Sequence, residues 1–133
     1  MKILLPIFLL MLSNISFAAQ PACDELRADI ETASELLNKA QEASSFDNAR
    51  QVMDNAKYSI NQIAEDARSC PCNDAAALFD AAATKLRRAS DADSVGKFNQ
   101  YSSKGIENYG AAIDALNNCP ASQQNNNADL RQP

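Results

Sequence analysis

Four cysteines carry the most chemistry in this sequence: Cys23, Cys70, Cys72 and Cys119. A thiol can close a disulfide, ligate a soft metal or act as a nucleophile, and its neighbours decide which. Here the spacing is regular. Cys23 and Cys70 are 47 positions apart, as are Cys72 and Cys119. Cys70 precedes Pro71 and Cys119 precedes Pro120. Cys23 is followed by Asp24 and Glu25, and Cys72 by Asn73 and Asp74. A shift of 49 positions aligns all of these. The same shift places Ala28 on Ala77, Ala33 on Ala82, Leu37 on Leu86, Ala40 on Ala89, Ala43 on Ala92 and Ser45 on Ser94. Such fixed-offset self-similarity reads as an internal duplication, with repeats at 23–70 and 72–119.

The N-terminus argues for the oxidised state. Met1-Lys2 leads into an apolar run from Ile3 to Leu12, and small residues stand at Ser16 and Ala18. That order is the pattern of a secretory signal peptide over 1–18, cut after Ala18. The run is about half of the ~20 residues that a spanning helix needs, and no later stretch is apolar enough to cross a membrane. Export delivers the chain to an oxidising compartment, periplasmic or secreted, where an even cysteine count is used in disulfides. The expected pairs are Cys23–Cys70 and Cys72–Cys119. Cys23–Cys72 with Cys70–Cys119 is the alternative that distance leaves open, and a Cys70–Cys72 bridge would strain a very small ring. Four thiolates at one place would also suit zinc or copper(I). Oxidation removes that option, and no metal or other cofactor is expected.

The rest of the sequence offers little to a catalyst. There is no histidine, which removes the commonest general base and most zinc and haem ligand sets. Acidic groupings occur at Asp24-Glu25 with Asp29, at Glu65-Asp66 and at Asp91 with Asp93. A carboxylate pair can hydrolyse glycosides, but only across a substrate cleft. Asp91 and Asp93 lack the further oxygens of a calcium loop. No serine lies in a nucleophile elbow. With 17 acidic against 12 basic residues and a net charge of −5, the chain has no electrostatic reason to bind nucleic acid. No catalytic residue is assigned, and a non-enzyme is expected.

The elements that must position the cysteines are helical. Four segments show the 3.6-residue period, and none shows strand alternation. The first spans about 24–44, with Leu26, Ile30, Ala33, Leu37 and Ala40 on one face. The second spans about 47–69, with Ala49, Val52, Met53, Ala56, Ile60, Ile63 and Ala67. The third spans about 74–92, with Leu78, Phe79, Ala82, Leu86 and Ala89. The fourth spans about 95–118, with Phe98, Tyr101, Gly105, Tyr109, Ala112, Ile113 and Leu116. Asp24 and Asn73 are suited to accept hydrogen bonds from first-turn amides, and Ser45 and Ser94 stand at the start of the second helix of each half, each followed by an apolar residue. Pro71 and Pro120 stop the helices before them. Two ~20-residue helices and a short turn make a hairpin about 30 Å long whose two ends meet, which brings each cysteine pair together. The expected fold is all-α, an up-down four-helix bundle over 19–120 built from two duplicated, disulfide-closed hairpins. Residues 121–133, with Gln123-Gln124-Asn125-Asn126-Asn127, have almost nothing to bury and read as a disordered polar tail.

Function must then lie on surfaces. Lys85, Arg87 and Arg88 form the dense basic cluster, and Tyr58 falls off the apolar stripe of its helix. These four are the candidate partner-binding residues, since tyrosine and arginine anchor many interfaces. In shape, disulfide-closed hairpins resemble small periplasmic chaperones and inhibitors, a likeness of architecture alone. The expected function is an exported, non-enzymatic protein-binding module of the bacterial envelope, of inhibitor, immunity or chaperone-like adaptor type. Its partner would be another envelope or secreted protein, with a homodimer as a variant. The alternatives are a carrier of a small ligand or metal, for which an apolar cavity between the hairpins would speak, and a secreted structural or effector protein.

Overall fold

The computed structural model describes residues 21–120. The segments expected to be a signal peptide, 1–18, and a polar tail, 121–133, lie outside the described residues. Within them the chain is four helices and no strand: α1 (Pro21–Glu42), α2 (Phe46–Ser69), α3 (Asn73–Ser90) and α4 (Val95–Asn117). The described residues are therefore all-helical, and they carry two disulfides, Cys23–Cys70 and Cys72–Cys119, with Cα–Cα distances of 5.3 and 5.8 Å. The pairing is the one that the spacing predicts. The two bridges stand side by side, with Cys70 Sγ 3.9 Å from Cys72 Sγ. No cysteine is left free.

The turns follow local chemistry. Ser45 is extended (φ −135°, ψ 155°), and its Oγ accepts from the Asn48 amide at 3.1 Å. Ser94, 49 positions on, repeats this with φ −144° and ψ 154°, accepting from the Lys97 amide at 3.2 Å. Each serine satisfies one of the orphan donors of a helix start. The two caps expected from the sequence, Asp24 and Asn73, are not used. Asn73 is the first residue of α3, and the cap position belongs to Cys72, whose side chain makes no capping bond. The Cys72 amide is held by the Ala67 carbonyl at 2.8 Å and its sulfur by Cys119, so the entry to α3 is fixed without a side-chain cap. Asp24 lies inside α1, which already begins at Pro21. Proline fits a first turn because its missing N–H has no partner to lose there.

Consecutive helices pack along their lengths, α1 on α2, α2 on α3 and α3 on α4, while α1 and α4 scarcely approach backbone to backbone. The core is rich in alanine, with Leu26, Met53, Ile60, Ile63, Phe79 and Leu86 as its large, fully buried side chains. Small side chains let the axes come close. At Gly105 of α4 an added Cβ would lie 2.6 Å from Leu86 Cδ2 and 3.4 Å from the Ala82 carbonyl, so glycine permits this approach to α3. Ile30, Val52, Leu78, Tyr101 and Ile113, placed on the apolar stripes by periodicity, are only half-buried, at the margins of the core. No helix among the described residues is long and apolar enough to cross a membrane.

Candidate functional site

The two bridges tie the start of α1 to the end of α2 and the start of α3 to the end of α4. All four cysteines thus share one pole. The α1–α2 turn and the start of α4 lie at the other. There, where α1 and α4 fail to close on each other, an open groove of about 420 Å3 forms. Ala40, Gln41, Ala43 and Ser44 line it from α1 and the turn. Ser45, Phe46 and Ala49 line it from the head of α2. Val95, Phe98, Asn99, Ser102, Ser103 and Ile106 line it from the N-terminal half of α4. None of these side chains is charged.

The groove has definite causes. Towards the cysteine pole the α1–α4 seam is bridged by Tyr109, whose hydroxyl donates to the Ile30 carbonyl at 2.8 Å and lies 2.9 Å from Ser34 Oγ. Because the phenol proton is engaged with Ile30, the Ser34 hydroxyl is the donor to Tyr109. The ring packs edge-on against Phe79, 5.9 Å between centroids. Burial raises the Tyr109 phenol above its usual pKa, and the Ser34 hydrogen bond works in the opposite direction. Farther along the seam the residues shorten. Phe46 and Phe98 meet edge-to-face at 5.8 Å, and beyond them Ala40, Ala43, Asn99 and Ser102 leave space. Ser102 is only 5 % exposed, and its hydroxyl is buried without a hydrogen-bond partner. A buried polar group without a partner is costly and needs an explanation.

The residues singled out in the sequence are not brought together there. Tyr58 is 64 % exposed on α2, with the Lys57 ammonium 3.8 Å above its ring. Arg87 and Arg88 are exposed and Lys85 half-buried, all near the end of α3. Cations at that end complement the helix dipole, which is a structural reason for them to be there. Arg88 lies 6.0 Å from the Tyr101 ring and shares a shallow hollow with Asp91, Asp93 and Lys97, where Asp93 pairs with Lys97 at 3.3 Å. Among the described residues, no group of three or more cysteines, aspartates or glutamates is placed to hold a metal ion. The acids that do meet are Asp29 and Asp66, across α1 and α2. The Asp29 carboxyl is raised above its ordinary value by burial first, then by the Asp66 charge and the hydrogen bond between them.

The groove itself was missed by periodicity, which finds what is apolar rather than what is too short. One signal was available. Ser102 stands four residues after Phe98 and seven before Tyr109, a small polar residue on an otherwise apolar stripe.

Comparison of the chain with protein-family models, with curated proteins and with solved structures returns no match.

Proposed function

We propose that this chain is an exported, non-enzymatic binding module of the bacterial envelope, and that it carries its ligand in the groove between α1 and α4. The observation that carries this reading is the uncharged groove, whose floor holds an unpartnered hydroxyl. Pockets of 300–1,000 Å3, mostly apolar with a few placed polar groups, are the usual seats of small ligands. The groove brings no acid, base or metal-ligating set together, so binding rather than bond-making fits its chemistry.

The architecture belongs to the same proposal: an up-down four-helix bundle of two duplicated hairpins. Its support is the burial pattern. The buried positions of 23–70 fall on buried positions of 72–119 at the 49-residue offset, save Ala64, whose counterpart Ile113 is half-buried. Paired disulfides are compatible with the periplasmic or secreted location that the N-terminus suggests.

A second reading keeps the function on the outer faces, as an inhibitor, immunity-type protein or chaperone-like adaptor docking another envelope protein. Tyr58 and the exposed Arg87 and Arg88 favour it. One experiment separates the two. The chain is isolated from the periplasm without denaturation and weighed by native mass spectrometry, while a tagged copy captures envelope proteins. A small mass released on unfolding supports the groove. Absence of such a mass, together with a captured protein that is lost on Tyr58→Ala or on Lys85→Glu/Arg87→Glu/Arg88→Glu, would replace the carrier with the adaptor.

A further inference from the structure

The two seams between the hairpins differ at matching positions, and the differences coincide with the groove. At the α2–α3 seam Arg50 reaches over the α3–α4 turn, its guanidinium donating to the Ala92 carbonyl at 3.2 Å, and Met53 is fully buried behind it. At the 49-residue offset their counterparts are Asn99 and Ser102, and the counterpart of the Ala92 turn position is Ala43. All three line the groove. Where one seam has a long cap and a large filler, the other has two short polar side chains. The space is therefore what remains when the cap and the filler are absent. Its walls present hydrogen-bonding groups at the places a filler would have covered.

From this geometry, and resting on the binding-module reading above, we infer that the groove takes a neutral small molecule with an aromatic or alicyclic body and at least one hydrogen-bonding group. The body lies against Phe46, Phe98 and Ile106, and the polar group meets the Asn99 amide and, once the Ser102 side chain turns to another rotamer, its hydroxyl, which is sealed in the empty groove. Neutrality follows from the lining, which offers no charge to balance an ion, in a chain that is otherwise 22 % charged. Desolvating an unpaired ion there would cost more than the contacts return. Small size follows from recession. Ala40, Ala49 and Phe98 are buried, and Val95 is the one large apolar residue at the rim that is well exposed, at 56 %. Such a surface admits an entering molecule better than it seats a flat protein face. Occupation would also give the Ser102 hydroxyl the partner it lacks.

The test uses the full exported chain with both disulfides formed and N-phenyl-1-naphthylamine, a neutral aromatic with one N–H, as the fluorescent probe. Saturable one-to-one binding is expected, with the anionic probe 8-anilinonaphthalene-1-sulfonate at least about tenfold weaker. Asn99→Arg, which restores the cap, and Ala43→Phe, which fills the space by another route, should each weaken the probe at least about tenfold with an unchanged helical spectrum. Ser102→Ala should weaken it roughly fivefold, as loss of one neutral hydrogen bond does, and should at the same time raise the melting temperature. A purely structural serine would not move the affinity. Probe binding that is absent, or indifferent to both Asn99→Arg and Ala43→Phe, overturns the inference. If the probe fails but Asn99→Arg abolishes capture of an envelope protein, the groove is a protein site: the small-molecule assignment falls while the binding module stands. If capture also ignores the groove, both fall.

Discussion

Residues 23–70 and 72–119 share a buried pattern but not a set of neighbours, and the difference produces the groove. In the second half Ala76, Phe79, Ala83 and Ala92 are buried; their counterparts Arg27, Ile30, Ser34 and Ala43 are half-buried or exposed. The reason is position. α3 packs on both α2 and α4, whereas α1 packs on α2 alone and meets α4 chiefly through Tyr109. Local composition has followed. Asp29 and Asp66 face each other between α1 and α2, where α3 and α4 have Leu78 and Ala115. The same helical pattern thus supports a sealed seam in one place and an open one in another.

The largest test of this comparison is covalent. Each disulfide closes a loop with a sequence separation of 47. In the chain-entropy model each should therefore contribute about 4 kcal/mol, and urea unfolding of Cys23→Ala/Cys70→Ala and of Cys72→Ala/Cys119→Ala should show similar losses. A loss confined to one pair would break the equivalence of the halves. Next comes truncation at matched core positions. Leu86 is fully buried and Leu37 is 4 % exposed beside the looser seam. Leu86→Ala should cost about 3–4 kcal/mol and Leu37→Ala about 2, read from the same unfolding curves. Equal costs would mean that α1 is as tightly held as α3.

A smaller effect is expected where glycine and alanine alternate. Gly105 matches Ala56, which is fully buried. Gly105→Ala gains about 1 kcal/mol in helix propensity. It also pushes Leu86, and overpacking typically costs about 1–3 kcal/mol. A net loss of about 1 kcal/mol is the expected outcome in thermal unfolding. Net stabilisation would mean that Leu86 rotates away freely and that α3 and α4 are no closer than α1 and α2.

The smallest effect is a pH dependence carried by Asp29. Its carboxyl is raised in the folded chain, so the folded state prefers it protonated. The favourable contribution of this group is complete below its unfolded value of 3.8 and is lost as the pH rises through the raised folded value. At neutral pH Asp29→Asn should therefore stabilise slightly, within about 0.5 kcal/mol because the site is largely solvated. That gain should shrink as the pH falls. A gain independent of pH would show that the Asp29–Asp66 contact is not its source.

The sequence by itself determined the helical class, the number and rough limits of the helices, and the disulfide partners, while the caps it pointed to, Asp24 and Asn73, were not the ones used. What it determined is set by short-range rules: a 3.6-residue period, a proline that ends a helix, and equal cysteine spacing that a hairpin closes on itself. It did not determine which of two matching seams would seal. That depended on whether one helix found neighbours on one side or on both. It also depended on what the far side of the turn offered to residue 50 and to residue 99. Arg50 reaches a carbonyl there, while Asn99 faces open space. Hydrophobic periodicity assigns a residue to an inward face, but only the packed arrangement decides whether that face meets another helix. Along the half of α4 nearer its start it meets α2 and α3 but not α1, and the space left there is the site.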